Sequence, residues 1–135
     1  MSAVGEGRPA VEEDVVDVKQ IQEMFRAEDA AEVDTVRQFL HPELVVNLIG
    51  VEEVDGPLGR DGFLRFLEHV FADRAGRGER IEHIPSVVKI EGDFVAIRGL
   101  LRTCCPGEPD QFTPYTDILK LRDGRIAEYN IAFGI

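Results

Sequence analysis

The sequence predicts an α+β fold in which a curved antiparallel sheet wraps around three N-terminal helices and encloses a pocket. Three observations carry this expectation. Apolar residues recur at three- and four-residue steps at Ile21, Met24 and Phe25, and again at Phe63, Phe66, Leu67, Val70 and Phe71. From Ile81 onward the apolar period falls to two, the spacing of a half-buried strand. Asp123-Gly124 then separates two alternating apolar runs, a strong short-range hairpin signal.

Met1 to Glu13 is acidic and holds Gly5, Gly7 and Pro9, so it is expected to be a disordered tail ahead of one domain over 14–135. Asp14 is the expected N-cap of a first helix with Val15, Val18, Ile21, Met24 and Phe25 on one face. Val33, Val36 and Leu40 mark a short second helix. His41-Pro42 is expected to end it, because the residue before proline avoids the helical region. Leu44 to Ile49 reads as a strand, and Gly50 to Gly59, with three glycines, a proline and three acids, as a loop. The third helix follows, ending in the turn Arg74 to Arg80. Four strands are expected over 81–90, 94–103, 112–121 and 126–133. Pro85 in the first of them points to an edge strand or a bulge. Hairpins that follow helices exclude a parallel α/β sheet, and the concave space between the two layers is where a small molecule would bind.

Composition narrows the function classes. A chain of 135 residues with 44% hydrophobic residues has material for one core. A net charge of −11 repels phosphate backbones and anionic lipid surfaces, so neither nucleic acid nor membrane is an expected partner. No apolar run approaches the length of a bilayer span and no signal-peptide pattern opens the chain, so a cytoplasmic location is expected. Cys104 and Cys105 are adjacent and read as small, partly buried residues. No Cys or His pair has metal-ligand spacing, and no glycine-rich loop opens a helix as a phosphate cradle, so no metal or cofactor is expected.

The order of these elements and their punctuation resemble the nuclear transport factor 2-like superfamily, which contains ketosteroid isomerases, limonene epoxide hydrolases and SnoaL-like polyketide cyclases. The matching stretches are Glu32-Val33-Asp34-Thr35-Val36, His41-Pro42-Glu43-Leu44-Val45-Val46, Gly59-Arg60-Asp61-Gly62-Phe63, Glu91-Gly92-Asp93-Phe94-Val95-Ala96 and Asp123-Gly124-Arg125-Ile126-Ala127-Glu128. The resemblance implies a cone-shaped fold with an internal pocket and a homodimer paired through the outer face of the sheet. Tyr115-Thr116-Asp117-Ile118-Leu119-Lys120-Leu121 is similar to the isomerase strand that carries a pocket aspartic acid, which implies that role for Asp117. The likeness to epoxide hydrolases implies a substrate-side arginine at Arg98. The chain departs from the family where bases are expected. Asn47 or Leu48 stands at the isomerase base, Glu23 or Met24 at its oxyanion tyrosine, and Ile131 at the last-strand acid of the hydrolases and cyclases.

The residues themselves give the same shortlist. Asp117 interrupts an apolar strand. Buried, it would hold its proton to unusually high pH and act as a proton donor or shuttle; exposed, it would be an ordinary surface carboxylate. Tyr115 shares its face, and Tyr129, Ile131 and Phe133 share one face of the last strand, where they would line a pocket or fill a core. Asn47 could bind a carbonyl, and His83 could face the cavity and shuttle protons. Arg98 alternates with Val95 and Ile97, so it faces solvent unless that side of the sheet lines the cone. The expected function is a cofactor-independent acid/base enzyme, a cyclase or isomerase acting on a small apolar carbonyl- or epoxide-bearing molecule such as a polyketide or terpenoid. The alternative is a non-catalytic binding or dimerisation module of the same fold.

Overall fold

The computed structural model describes residues 18–51 and 54–134. The acidic tail and the expected Asp14 cap lie outside the described residues. Helix α1 spans Val18–Asp29, α2 Val33–Arg37 and α3 Arg60–Arg77. The strands are β1 (Leu40–Ile49), β2 (Arg80–Glu91), β3 (Phe94–Cys104), β4 (Gln111–Arg122) and β5 (Arg125–Phe133).

All three expected helices are present, and the second is shorter than its pattern suggested. The stripe Val33, Val36, Leu40 gives a helix only as far as Arg37. Leu40 instead opens β1, paired to Ile126, and His41-Pro42 lies within that strand. The restriction proline places on its neighbour fits extended backbone as well as it fits a helix end.

The sheet has the order β1-β5-β4-β3-β2. It is mixed, not wholly antiparallel as expected: β1 runs parallel to β5, while the other three pairings are antiparallel. Helix α3 and three strands separate β1 from β5, so the chain can return in the same direction. Pro85 sits where the sequence placed an irregularity. β2 is the edge strand, and its register with β3 slips between Pro85 and Val87. At the other edge, Leu58 exchanges two backbone hydrogen bonds with Val46 and covers part of β1. The β4–β5 turn has positive φ at both Asp123 (55°) and Gly124 (75°), the conformation that suits a two-residue hairpin.

The helices cover one face of the sheet. Met24, Val36, Leu40, Val46, Val95 and Leu119 are fully buried between the layers. Phe63 packs edge-on against Tyr129, with ring centroids 5.8 Å apart. None of the helices among the described residues is long and apolar enough to cross a membrane.

Gly99 is a point of close approach in this sheet. A Cβ there would lie 2.4 Å from the Ile84 carbonyl oxygen, 2.8 Å from the Pro85 Cα and 2.9 Å from the Tyr115 hydroxyl. Two of those three atoms are backbone, so β2 would have to move away from β3. Gly99→Ala is therefore expected to destabilise the fold by about 1–3 kcal/mol, read as a lower urea midpoint; an unchanged midpoint would refute this.

Candidate active site

Between the sheet and α3 lies a cavity of about 180 Å³, walled mainly by apolar side chains of α3, β4 and β5. Strand alternation delivers Tyr115 and Asp117 from β4 and Tyr129, Ile131 and Phe133 from β5 to this cavity. β2 supplies His83. The last turn of α1 contributes Glu28, and Arg74 comes from α3.

His83 is held from three sides. Asp29, the last residue of α1, accepts a hydrogen bond from the His83 backbone N–H at 3.0 Å with one carboxylate oxygen. Its other oxygen lies 2.7 Å from the ring Nδ1. An ionised carboxylate can only accept, so Nδ1 carries the proton and Nε2 is the nitrogen that remains for exchange. The ring stacks on Phe25 at 4.5 Å with a 4° interplanar angle and meets Tyr115 edge-on at 5.3 Å. Nε2 stands 3.8 Å from Glu28 Oε1. Burial opposes charge on the imidazole, but Asp29, Glu28 and Asp117 together outweigh it and raise its pKa above the ordinary value.

Two carboxyl groups are buried in the same space. Asp117 is 1% exposed and Glu28 6%. Burial in apolar surroundings is the largest cause in each case and pushes both pKa values to about 7. The negative charge of Glu28 raises Asp117 further, while His83 and the Tyr129 hydroxyl act against the rise. Tyr129 donates to Asp117 Oδ2 over a long 3.4 Å, and the same hydroxyl favours the ionised form of Glu28. Asp117 Oδ1 and the Tyr115 hydroxyl are buried with no hydrogen-bond partner among the described residues. Native interiors seldom leave such atoms unpaired, and two of them beside one cavity form a ready recognition point for a ligand oxygen. No group of three His, Cys, Asp or Glu side chains among the described residues is placed to hold a metal ion.

The structure thus brings Asp117, Tyr115, Tyr129, Ile131, Phe133 and His83 to one cavity. It does not bring Arg98 or Asn47 there. Both are exposed on the opposite face of the sheet. Asn47 pairs in register with Asn130 and donates to its side chain at 2.9 Å. Arg98 pairs with Thr116 and Val87, one residue out of step with the inward Ile97 and Asp117. Strand alternation decides both cases. Three site residues escaped the sequence reading: Glu28, Asp29 and Arg74. A signal existed for two of them. Glu28 continues the stripe Ile21, Met24, Phe25 at the next helical turn, and Arg74 continues Val70 and Phe71. A charge on an apolar stripe marks a buried charge.

Asp117 leaves a signature in stability. Its pKa is raised on folding, so the folded state binds the extra proton between about 4 and 7. Stability is therefore greatest below the unfolded value and falls as pH rises through the folded one. Asp117→Asn removes that loss. In urea titrations the variant should gain on the wild type by at least about 1 kcal/mol more at pH 8 than at pH 5. A difference independent of pH would show that Asp117 is not held protonated.

Three solved structures share this architecture at low sequence identity to the chain. The wild-type IdmH of Streptomyces antibioticus, a candidate polyketide cyclase, superposes with a TM-score of 0.70 at 22% identity, covering 86% of this chain and 90% of that one. A limonene-epoxide-hydrolase-like epoxide hydrolase of M. tuberculosis gives 0.67 at 18% identity, covering 90% and 83%. TerC, co-crystallised with polyporic acid, gives 0.70 at 18% identity, covering 86% and 89%. No curated protein matches the sequence. The model of the SnoaL-like domain matches residues 21–129, which takes in every side chain of the cavity except Ile131 and Phe133. The chain therefore belongs to the SnoaL-like domain family, with the nuclear transport factor 2-like fold.

Proposed function

We propose that the protein is an acid/base enzyme that enolises a small apolar carbonyl compound and lets the enol reprotonate elsewhere or close a ring, as an isomerase or a polyketide-type cyclase would. The observation that carries this reading is the Asp29–His83 pair beside a buried, proton-retaining Asp117 in one mainly apolar cavity. His83 Nε2 takes the proton from the carbon next to the carbonyl, and Asp29 stabilises the imidazolium that forms. Asp117 gives its proton, or a short hydrogen bond, to the carbonyl oxygen, with the Tyr115 hydroxyl as second donor. Return of the proton from His83 to another carbon completes an isomerisation. Attack of the enol carbon on a second carbonyl closes a ring, with the His83 imidazolium protonating the new alkoxide; in both routes the enol oxygen returns its proton to Asp117. Every step uses only side-chain protons. The cyclase candidates and the epoxide hydrolase that share the fold support a pocket of this kind.

A neutral ketone with acidic α-protons, 2-tetralone, tests the chemistry in D2O by NMR. The protein should catalyse α-deuterium exchange. Asp117→Asn and His83→Ala should each lower the rate by roughly a hundredfold or more, as expected for loss of a general acid or base. The rate should follow a narrow bell near neutral pH. It rises as His83 loses its proton and falls as Asp117 loses its own near 7. Ligand binding without any exchange would identify a binding module instead.

We further infer that two copies pair through the outer face of the sheet. That face exposes Ile84, Val87, Phe94, Leu100, Phe112 and Ile118. Register places Ile84 beside Leu100 and Val87 beside Arg98, so β2 and β3 share the patch. Monomeric proteins seldom leave so large an apolar surface open. Sedimentation at micromolar concentration should give twice the chain mass. Phe112→Glu with Leu100→Glu should halve it, and a wild-type monomer would overturn the pairing.

A further inference from the structure

Arg74 has no part in the proton transfers proposed above, yet it is the permanent cation among the side chains lining the cavity. It is a half-buried residue on the last full turn of α3, beyond Val70 and Phe71 on the same stripe. Its single ion-pair partner among the described residues is Glu79, with 3.6 Å from Nε to Oε1. That distance exceeds a good hydrogen bond, and the guanidinium donates none among the described residues. A guanidinium has five N–H groups and suits a planar pair of oxygens. Burial works against its charge, and Glu79, Glu28 and Asp29 help to retain it. Arg74 also borders an outer groove of about 720 Å³ that Arg65 and His69 line as well. It therefore stands at the threshold between the apolar inner cavity and a more open groove whose walls mix apolar and charged side chains.

We propose that Arg74 anchors an ionised acidic oxygen of the substrate, a carboxylate or an enolate, so that the substrate is an amphipathic acid. Its apolar skeleton fills the inner cavity against Phe63, Leu67 and Phe71, and its anionic end meets the guanidinium at the threshold. This inference rests on the inner cavity being the substrate site. Charge selection follows from the electrostatics. Glu28 and Asp117 would repel a bound anion when ionised, but both retain protons to near neutrality. Glu79 already stands 3.6 Å from Arg74, so the acid's anionic end takes the guanidinium N–H groups that this pair leaves free. A bidentate guanidinium–carboxylate pair away from bulk water is among the stronger polar contacts a protein makes. The acid also gains register, because a fixed end holds the reacting carbonyl at one depth relative to His83 and Asp117.

Two probes of nearly equal shape separate charge from shape: 2-naphthoate, which is ionised at neutral pH, and the neutral 2-naphthamide. Both are titrated calorimetrically into the wild type and into Arg74→Met. The wild type should bind naphthoate at least tenfold more tightly than naphthamide. Arg74→Met should bring naphthoate down to the level of the amide while amide affinity stays within about twofold. If melting shows that Arg74→Met is unfolded, Arg74→Gln gives the same readout. Equal affinities in the wild type, or a preference for the acid that survives the substitution, would overturn the anchor while leaving the cavity as a binding site. Binding of neither probe to folded protein would overturn anchor and substrate site together. Exchange of the neutral 2-tetralone in the wild type reports on the catalytic reading separately, since that ketone carries no acidic group for Arg74.

Discussion

The contact between Asp29 and His83 joins the helical layer to the far edge of the sheet. β2 is an edge strand with neighbours on one side only, and its register breaks at Pro85. Such a strand is prone to fray. Asp29 ties it down with two hydrogen bonds, one to backbone and one to the ring, and Phe25 stacks on the ring from the same helix. The cavity wall, the tautomer of His83 and the spacing between His83 and Glu28 all depend on that tie. A histidine fixed by a carboxylate at one nitrogen offers the other in a defined direction, which is what proton transfer needs.

The interior of the cone holds several ionisable groups behind a mostly apolar wall. In bulk water Asp117 and Glu28 would be ionised at neutral pH. Inside an apolar wall an ionised carboxylate loses its hydration without full replacement, so both retain protons to about 7. Glu28 raises Asp117 further and Asp29 raises Glu28, while the imidazolium of His83 opposes both. These groups do not titrate independently, because the charge state of each sets the proton affinity of the others. Arg74 closes the set from α3 and carries charge that does not titrate in the same range. The resemblance to isomerases, epoxide hydrolases and cyclases implied acids at Asn47 or Leu48 and at Ile131, and none of these side chains is one. A His–Asp pair contributed by β2 and α1 stands in the same cavity instead.

Much of the architecture could be read directly from residue order. The 3.6-residue stripe of Phe63 to Phe71 and the period of two after Ile81 reflect which faces meet apolar material, and burial enforces that pattern residue by residue. The Asp123-Gly124 turn and the Pro85 irregularity are equally local, since they follow from backbone conformations that few residues accept. The direction of β1 is not local. Whether Leu40 to Ile49 runs with or against β5 depends on how α3 and the intervening strands carry the chain across the sheet. The same is true of the boundary at Leu40, where helix and strand compete and pairing with Ile126 decides.

The sequence by itself determined the fold class, the family and a shortlist of inward-facing residues on β4 and β5, because alternation along a strand leaves only two choices of face. It identified Asp117 as a carboxylate in an apolar strand, which marks it as either exposed or perturbed. Only the tertiary structure decided between those, by closing α3 over β4 and β5. It also left Asn47 on the outer face, kept Arg98 where alternation sends it, and brought Asp29 within reach of His83 across 54 residues of chain. No local pattern encodes that meeting. Proton affinity depends on distances to charges and to water, and those distances exist only once the layers have packed.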